Sequence, residues 1–499
     1  MRRPGSISLA IIFLCTAFCF NVAAQVNVAA DQLIPSDGLK ADLKILRSAY
    51  EQLHPGLYRY NTKEKMDAAF DLLEQDFGRD LTLQQAYLAF SLFVNKIRCG
   101  HTYANFFNQT KTTADALFKG KTRLPFHFRW IGKQMVVTRN FSSAPLLARG
   151  TEIEKINGIP AGEILDRLMS IARADGGNDA KRIAYLEVAG VDRWEAFDIY
   201  FPMFFPQREP KFTLDIKPPN GSKRSVTVDA ITYDERLAQR NAKAEPDGEK
   251  PVFEYRHLDA KTAYLRMPNW ALYDSKWDWK KFLNETIDDL IAKQTPNLIV
   301  DIRENEGGMD VGDVLASRLI SSEIRSTEIK RLVRYRQIPA ELKPYLDTWD
   351  RSFDNWGKDA TDLKDGFYRL TRYDDESGAN LIKPSGKRYT GKTFVLIGPV
   401  NSSATFQFAQ LVKTNKLATL VGQPTGGSQR GINGGAFYFL KLPNSRIELD
   451  LPLIGQFPTS PMPDAGITPD IYVRQTAKDI ADGRDAEIET VRKVIARSK

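Results

Sequence analysis

Ser402 and Ser403 stand side by side where a short apolar run, Thr393-Phe394-Val395-Leu396-Ile397, stops at Gly398-Pro399 and a helical pattern begins. The run has the length and β-branched content of a buried strand. Beyond the corner, Phe406, Ala409, Leu411 and Val412 recur at helical spacing, with Lys413 and Lys416 near the helix end. A serine at a helix start can cap it by accepting a backbone N–H, the commoner role. It can also be a nucleophile, because the free N–H groups of the first turn point where an oxyanion would form. A serine nucleophile needs a base, and imidazole is the side chain that takes a proton near neutral pH. The chain has four histidines, His54, His101, His127 and His257. His101 follows Gly100, which reads as a helix stop, and so falls on a loop, where functional groups concentrate. A loop histidine taken alone is more often structural. Cys99 reads as a small buried residue, because neighbours along a loop rarely present both side chains to one point. His, Asp and Glu show no ligand spacing, so neither a metal nor another cofactor is expected.

The elements that would position these residues follow from periodicity. Residues 31–102 read as a helical domain. Helices are expected over 38–53, 62–77 and 83–97, the last opened by Thr82 with Gln85 at capping-box spacing. Over 124–232 the pattern changes to short strands separated by turns such as Asn157-Gly158 and Asn220-Gly221, with one helix over 161–172, which makes a small, mostly β domain. Residues 237–251 resemble a linker. From 253 to 475, strands at 262–266, 297–303, 393–397 and 418–422 alternate with helices, the pattern of an α/β core with buried strands. The glycine turn Glu304-Asn305-Glu306-Gly307-Gly308 follows the second of these strands, and residues 321–392 break the rhythm as an aromatic and charged insertion, either a lid or binding surface or a solvated excursion. A helix is expected within 476–499.

The 499 residues are too many for one ordinary core. Arg2-Arg3, an apolar stretch over 8–20 and Val22-Ala23-Ala24 read as a signal peptide spanning 1–24, which implies an exported, periplasmic or extracellular protein without stable membrane insertion. Its removal takes away Cys15 and Cys19, leaving Cys99 alone and no internal disulfide. The formal charge of +8 is spread along the chain without a dense Lys/Arg run, so no nucleic-acid partner is expected.

Four ordered motifs carry a resemblance. Asp301-Ile302-Arg303-Glu304-Asn305-Glu306-Gly307-Gly308, Asn401-Ser402-Ser403-Ala404-Thr405, Leu420 to Gly427 and Gly466-Ile467-Thr468-Pro469-Asp470-Ile471 resemble the successive motifs of the tail-specific (C-terminal processing) serine proteases. Gly150 to Ile159 is similar to the PDZ-like module of those enzymes. The resemblance implies a crotonase/ClpP-like catalytic core, Ser403 as nucleophile with Ser402 as cap, and a peptide or protein substrate. Oxyanion donors would come from Gly307 or Gly308 and from Ala404. The lysine that one branch carries after Thr-x-Gly is replaced here by Ser428, and Arg430 nearby stays protonated. Cys99-Gly100-His101-Thr102 instead resembles the Gly-His-Thr of the branch containing the tricorn protease core, which implies His101 as base and, by position, Asp464 as the acid that orients it. A peptide-binding protein on a catalytically degenerate copy of the fold is the alternative.

Overall fold

The computed structural model describes residues 29–190, 193–241, 252–325, 328–374 and 381–497. The expected signal peptide and most of the expected linker lie outside the described residues.

Helices α1 (Ser36–Leu53), α2 (Lys63–Asp76) and α3 (Leu83–Asn95) form as the apolar spacing requires. The Thr82–Gln85 capping box at the start of α3 is complete. The chain leaves α3 earlier than expected, with Arg98 rather than Gly100 in the left-handed region (φ 59°). Gly100 has another job: its N–H donates to Asp175 Oδ1 at 2.9 Å, and a methyl there would stand 3.0 Å from Asp175 Oδ2.

Strands β1 (Phe126–Ile131), β2 (Gln134–Asn140), β3 (Glu152–Ile156), β4 (Lys211–Lys217) and β5 (Arg224–Asp229) make an antiparallel sheet in that spatial order. The helix after β3 is shorter than expected: α4 runs Ala161–Leu168. Two more, α5 (Asp179–Tyr185) and α6 (Ala196–Phe204), lie between α4 and β4. Neither shows a clean apolar stripe; α6 is apolar nearly all round, contains Pro202 and is buried on most of its surface.

The α/β part holds a six-stranded sheet of β6 (Glu254–Asp259), β7 (Thr262–Arg266), β8 (Asn297–Asp301), β9 (Lys392–Ile397), β10 (Thr419–Gly422) and β11 (Ile471–Tyr472). All pairs are parallel except β6–β7. Helices α7 (Trp279–Ala292), α8 (Val311–Ser317) and α9 (Ser403–Asn415) cover one face, and the C-terminal α10 (Ala486–Arg497) packs on the other. Pairing of Asp301 with Leu396 sets the carboxyl ends of β8 and β9 side by side. The glycine turn and the serine corner therefore leave the same edge of the sheet, where ligand sites of parallel sheets lie.

A second, antiparallel sheet is built on βA (Asn433–Lys441) and βB (Glu448–Pro458). Segments of the 321–392 insertion extend it: Leu346–Asp347 pairs with βA, and Ile329–Val333 with βB. The insertion is thus hydrogen-bonded into a sheet and is no solvated excursion. This sheet shares one apolar core with α1–α3 and β1–β5, through residues such as Leu46, Tyr87, Phe128, Tyr438 and Leu451. Tyr50 Oη donates to the Asp450 carbonyl at 3.0 Å across that junction. The N-terminal helices are held against the second sheet by core packing, and His101 comes with them.

Candidate active site

The serine corner is locked to the glycine turn by buried amides. Asn401 Oδ1 accepts from Gly398 N at 2.8 Å, while its Nδ2 donates to the carbonyls of Ile302 and Asn305, the latter at 3.0 Å. Thr405 Oγ1 lies 2.9 Å from Asn305 O. Asn305 Nδ2 reaches Met267 O at 2.8 Å, and Asn305 Oδ1 accepts from Gly307 N at 2.9 Å. Asn401, Thr405 and Asn305 are all fully buried. These groups explain why the motif needs an amide before the serines and a hydroxyl after them.

Within this frame the two serines differ. Ser402 occupies the cap position of α9 but makes no side-chain cap; its hydroxyl donates to the Glu306 carbonyl at 3.0 Å. The expected cap is replaced by a second tie between corner and turn. Ser403 stands in the left-handed region at φ 49°, a conformation that costs a non-glycine residue about 1 kcal/mol or more. That twist faces Ser403 toward a cavity of about 1500 Å3, also lined by His101, Gly307, Gly308 and Ala404. Gly307 (φ 116°) passes so close beneath that a methyl on it would lie 2.9 Å from Ser403 Cβ and 2.9 Å from Ala404 N. The Gly307 N–H is already committed to Asn305, so among the two glycines Gly308 is the one whose N–H is unspent.

His101 is brought to the cavity by the loop after α3. Its Nδ1 is buried without a hydrogen-bond partner among the described residues, which leaves Nε2 as the open nitrogen. Phe437 of βA lies 5.9 Å from it, ring to ring. Desolvation by the surrounding protein holds the imidazole below its usual pKa; Asp175 and Glu306 oppose this, and Arg173 and Lys181 add to it. The next residue is anchored: Thr102 Oγ1 sits 2.7 Å from His54 Nε2, and His54 Nδ1 accepts from Gly56 N at 3.0 Å. His54 therefore carries its proton on Nε2 and donates it to Thr102. Burial and the nearby Arg59 push its pKa down to about 3.

Asp464 spends its carboxylate on partners other than the imidazole. One carboxylate oxygen accepts from Ser428 Oγ and the other from Gly177 N, both at 2.9 Å. It ties the loop after β10 to the Asp175-Gly176-Gly177 turn, and makes no hydrogen bond to His101. Asp175, whose charge favours the imidazolium most, went unnoticed in the sequence. Its signal was an acid directly before a glycine pair, the same local pattern as Glu306-Gly307-Gly308.

Two cations from the β-rich part also reach the corner. Lys181 on α5 pairs with Glu306 and donates to Val400 O at 3.0 Å, its side chain almost wholly buried. Arg173 pairs with Glu306 Oε2 at 3.0 Å, donates to the Gly100 carbonyl and lies over the Tyr103 and Tyr185 rings. Arg173 and Lys181 hold the Glu306 carboxyl well below the usual range. This cluster links three segments far apart in sequence: the His101 loop, the glycine turn and the serine corner. Cys99 is buried, and burial pushes its thiol pKa up. Among the described residues no group of three His, Cys, Asp or Glu side chains could hold a metal ion.

A sequence model of peptidase family S41 matches residues 261–473, the span that carries both the glycine turn and Ser403. The chain carries a family S41 peptidase domain. That domain is of the serine-type peptidase class. Among solved structures, mature CPAF complexed with lactacystin is 17% identical, with a TM-score of 0.62, covering 92% of this chain and 97% of that one. Mature CPAF without that compound is 16% identical at a TM-score of 0.59, covering 93% and 97%. The photosystem II D1 C-terminal processing protease is 11% identical at a TM-score of 0.40, covering 89% and 97%. At these identities the likeness to CPAF concerns the fold, here a mixed α/β architecture along most of the chain. No curated protein sequence matches the chain. No helix among the described residues is long and apolar enough to cross a membrane.

Proposed function

We propose that this chain is an exported serine endopeptidase that cuts peptides or partly unfolded proteins with Ser403 as nucleophile and His101 as base. One observation carries the reading: Ser403 is held in a strained backbone conformation at a helix N-terminus, facing a cavity it shares with the otherwise uncommitted Nε2 of His101. Ser403 Oγ attacks the scissile carbonyl carbon. Its proton passes to His101 Nε2, which later protonates the leaving amine. The N–H groups of Ala404 and Gly308 receive the developing oxyanion. The Arg173–Lys181–Glu306 cluster fixes the relative positions of the loops that carry base and nucleophile. Burial lowers the Lys181 pKa while Glu306 raises it, and the Lys181 amine is spent on Glu306 and the Val400 carbonyl, so the lysine acts as a positioning group and His101 takes the Ser403 proton.

The sheet β1–β5 serves as a PDZ-like substrate-holding module, and residues 253–475 form a crotonase/ClpP-like core. Peptide binding without turnover is the second reading, and the absence, among the described residues, of an acid on His101 Nδ1 favours it. A fluorophosphonate probe and a casein-type substrate separate the two. Ser403→Ala and His101→Ala should each lose hydrolysis while keeping the wild-type melting temperature, and Ser403→Ala should lose labelling as well. A Ser403→Ala protein with full activity would overturn the mechanism.

A further inference from the structure

Eight large apolar or aromatic side chains stand exposed among the described residues, and four of them, Phe107, Tyr273, Trp349 and Tyr373, line the cavity of Ser403 and His101. Chance exposure would scatter such groups singly over the surface. The strongest local arrangement is built on βA. Phe437 and Phe439 alternate along that strand with the buried Ala436, Tyr438 and Leu440, and so share the face toward the cavity. Pairing of Leu346 with Leu440 and of Asp347 with Phe439 delivers Trp349 onto that face. The Trp349 ring lies 5.9 Å from Phe437 and 5.8 Å from Phe439, and is braced from behind by Phe353 at 5.7 Å. Trp349 nevertheless remains 61% exposed. Phe437 in turn meets the His101 ring, so an aromatic shelf runs continuously from the base outward to Trp349.

The base of a serine peptidase gives its proton to the departing amine and therefore borders the leaving-group half of the substrate. We infer that the Phe437–Phe439–Trp349 shelf is a subsite for a large apolar or aromatic side chain on the leaving-group side of the scissile bond. The inference rests on the Ser403–His101 reading above. Trp349 is its outer wall, supplied by the 321–392 insertion. Rings already held in tilted contact, with one face open, are suited to take a further ring edge-on or offset.

The test uses the full chain and peptide pairs that differ only in Phe or Ala immediately after the scissile bond. Wild-type protein should prefer Phe by roughly tenfold or more in kcat/KM. Trp349→Ala should bring the ratio near one, Trp349→Phe should keep most of it, and neither should change the rate at which a fluorophosphonate labels Ser403. Direct titration of Ser403→Ala protein with the same peptides should show the preference in Kd, and the Trp349→Ala change should remove it there too. A ratio that survives Trp349→Ala, or no preference in the wild-type protein, overturns the subsite. Binding preference in the Ser403→Ala protein with no labelling and no cleavage by the wild type would instead overturn the peptidase reading and leave a peptide-binding shelf.

Discussion

Replacing Gly307 with alanine puts one methyl group where the proposed chemistry takes place. The residue sits at φ 116°, so a side chain there is strained whatever the space around it. The added carbon would stand 2.8 Å from Ser402 O, 2.9 Å from Ala404 N and 2.9 Å from Ser403 Cβ. Two of those atoms are backbone at the start of α9 and cannot swing aside as a flexible side chain would. Strain of this kind costs about 1–3 kcal/mol. At roughly 2–4 °C per kcal/mol for a domain of this size, the melting temperature should fall by several degrees with the fold retained. The effect on turnover should be larger. A methyl beside Ala404 N fills the place of the oxyanion, and loss of one such donor costs about 100- to 1000-fold in kcat. Peptide hydrolysis and fluorophosphonate labelling should fall together, because both place a charged oxygen there. Gly308→Ala is the contrast: its methyl would run into the Trp270 and Ala271 backbone, so that variant should damage folding first. Gly307→Ala protein that melts normally and turns over within threefold of wild type would refute the placement of the oxyanion site.

Three further outcomes follow from the same geometry. Desolvation holds the His101 pKa below its ordinary value, so hydrolysis should be on its plateau at pH 7 and decline only below about pH 6.5; an acid limb centred above 7 would contradict His101 as base. His54 stays neutral in the folded protein down to about pH 3 while the unfolded chain takes up a proton near 6.5, so its contribution to stability is lost as pH falls through that window. The stability advantage of wild type over His54→Gln should accordingly shrink by about 3 kcal/mol between pH 7 and 4.5, measured by urea unfolding; this difference separates it from Asp450, whose pKa, pushed up to about 7 by burial, drives stability the other way. Asp464→Asn should lower kcat by misplacing the 175–177 turn and, as Asp175 moves from the imidazole, shift the acid limb of the pH profile to lower pH; a rate and limb both unchanged would show that this turn does not support His101.

What the sequence determined by itself was local chemistry. An apolar strand ending in Gly398-Pro399, two serines and a helix can fold in few ways, so the corner was readable without a partner. The Thr82–Gln85 capping box and the stripes of α1–α3 were readable for the same reason: their interactions close within a turn or two of one element. Even the adjacency of glycine turn and serine corner was implied, because consecutive parallel strands bring their carboxyl ends together. The tertiary structure decided what depends on contacts between distant segments. Ser402 could have capped α9, but the Glu306 carbonyl lies within reach and takes its hydrogen bond. Asp464 matched the expected acid by its place in the chain, yet its carboxylate is drawn to Ser428 and the Gly177 N–H across more than 280 residues. Lys181 and Arg173 carry no local signature of function, and Asp175 only an acid before a glycine pair. They matter because burial strengthens their charges where three segments meet, and no pattern along one segment records that meeting. The insertion could equally have been solvated; only its pairing with βA brings Trp349 to the cavity that His101 lines.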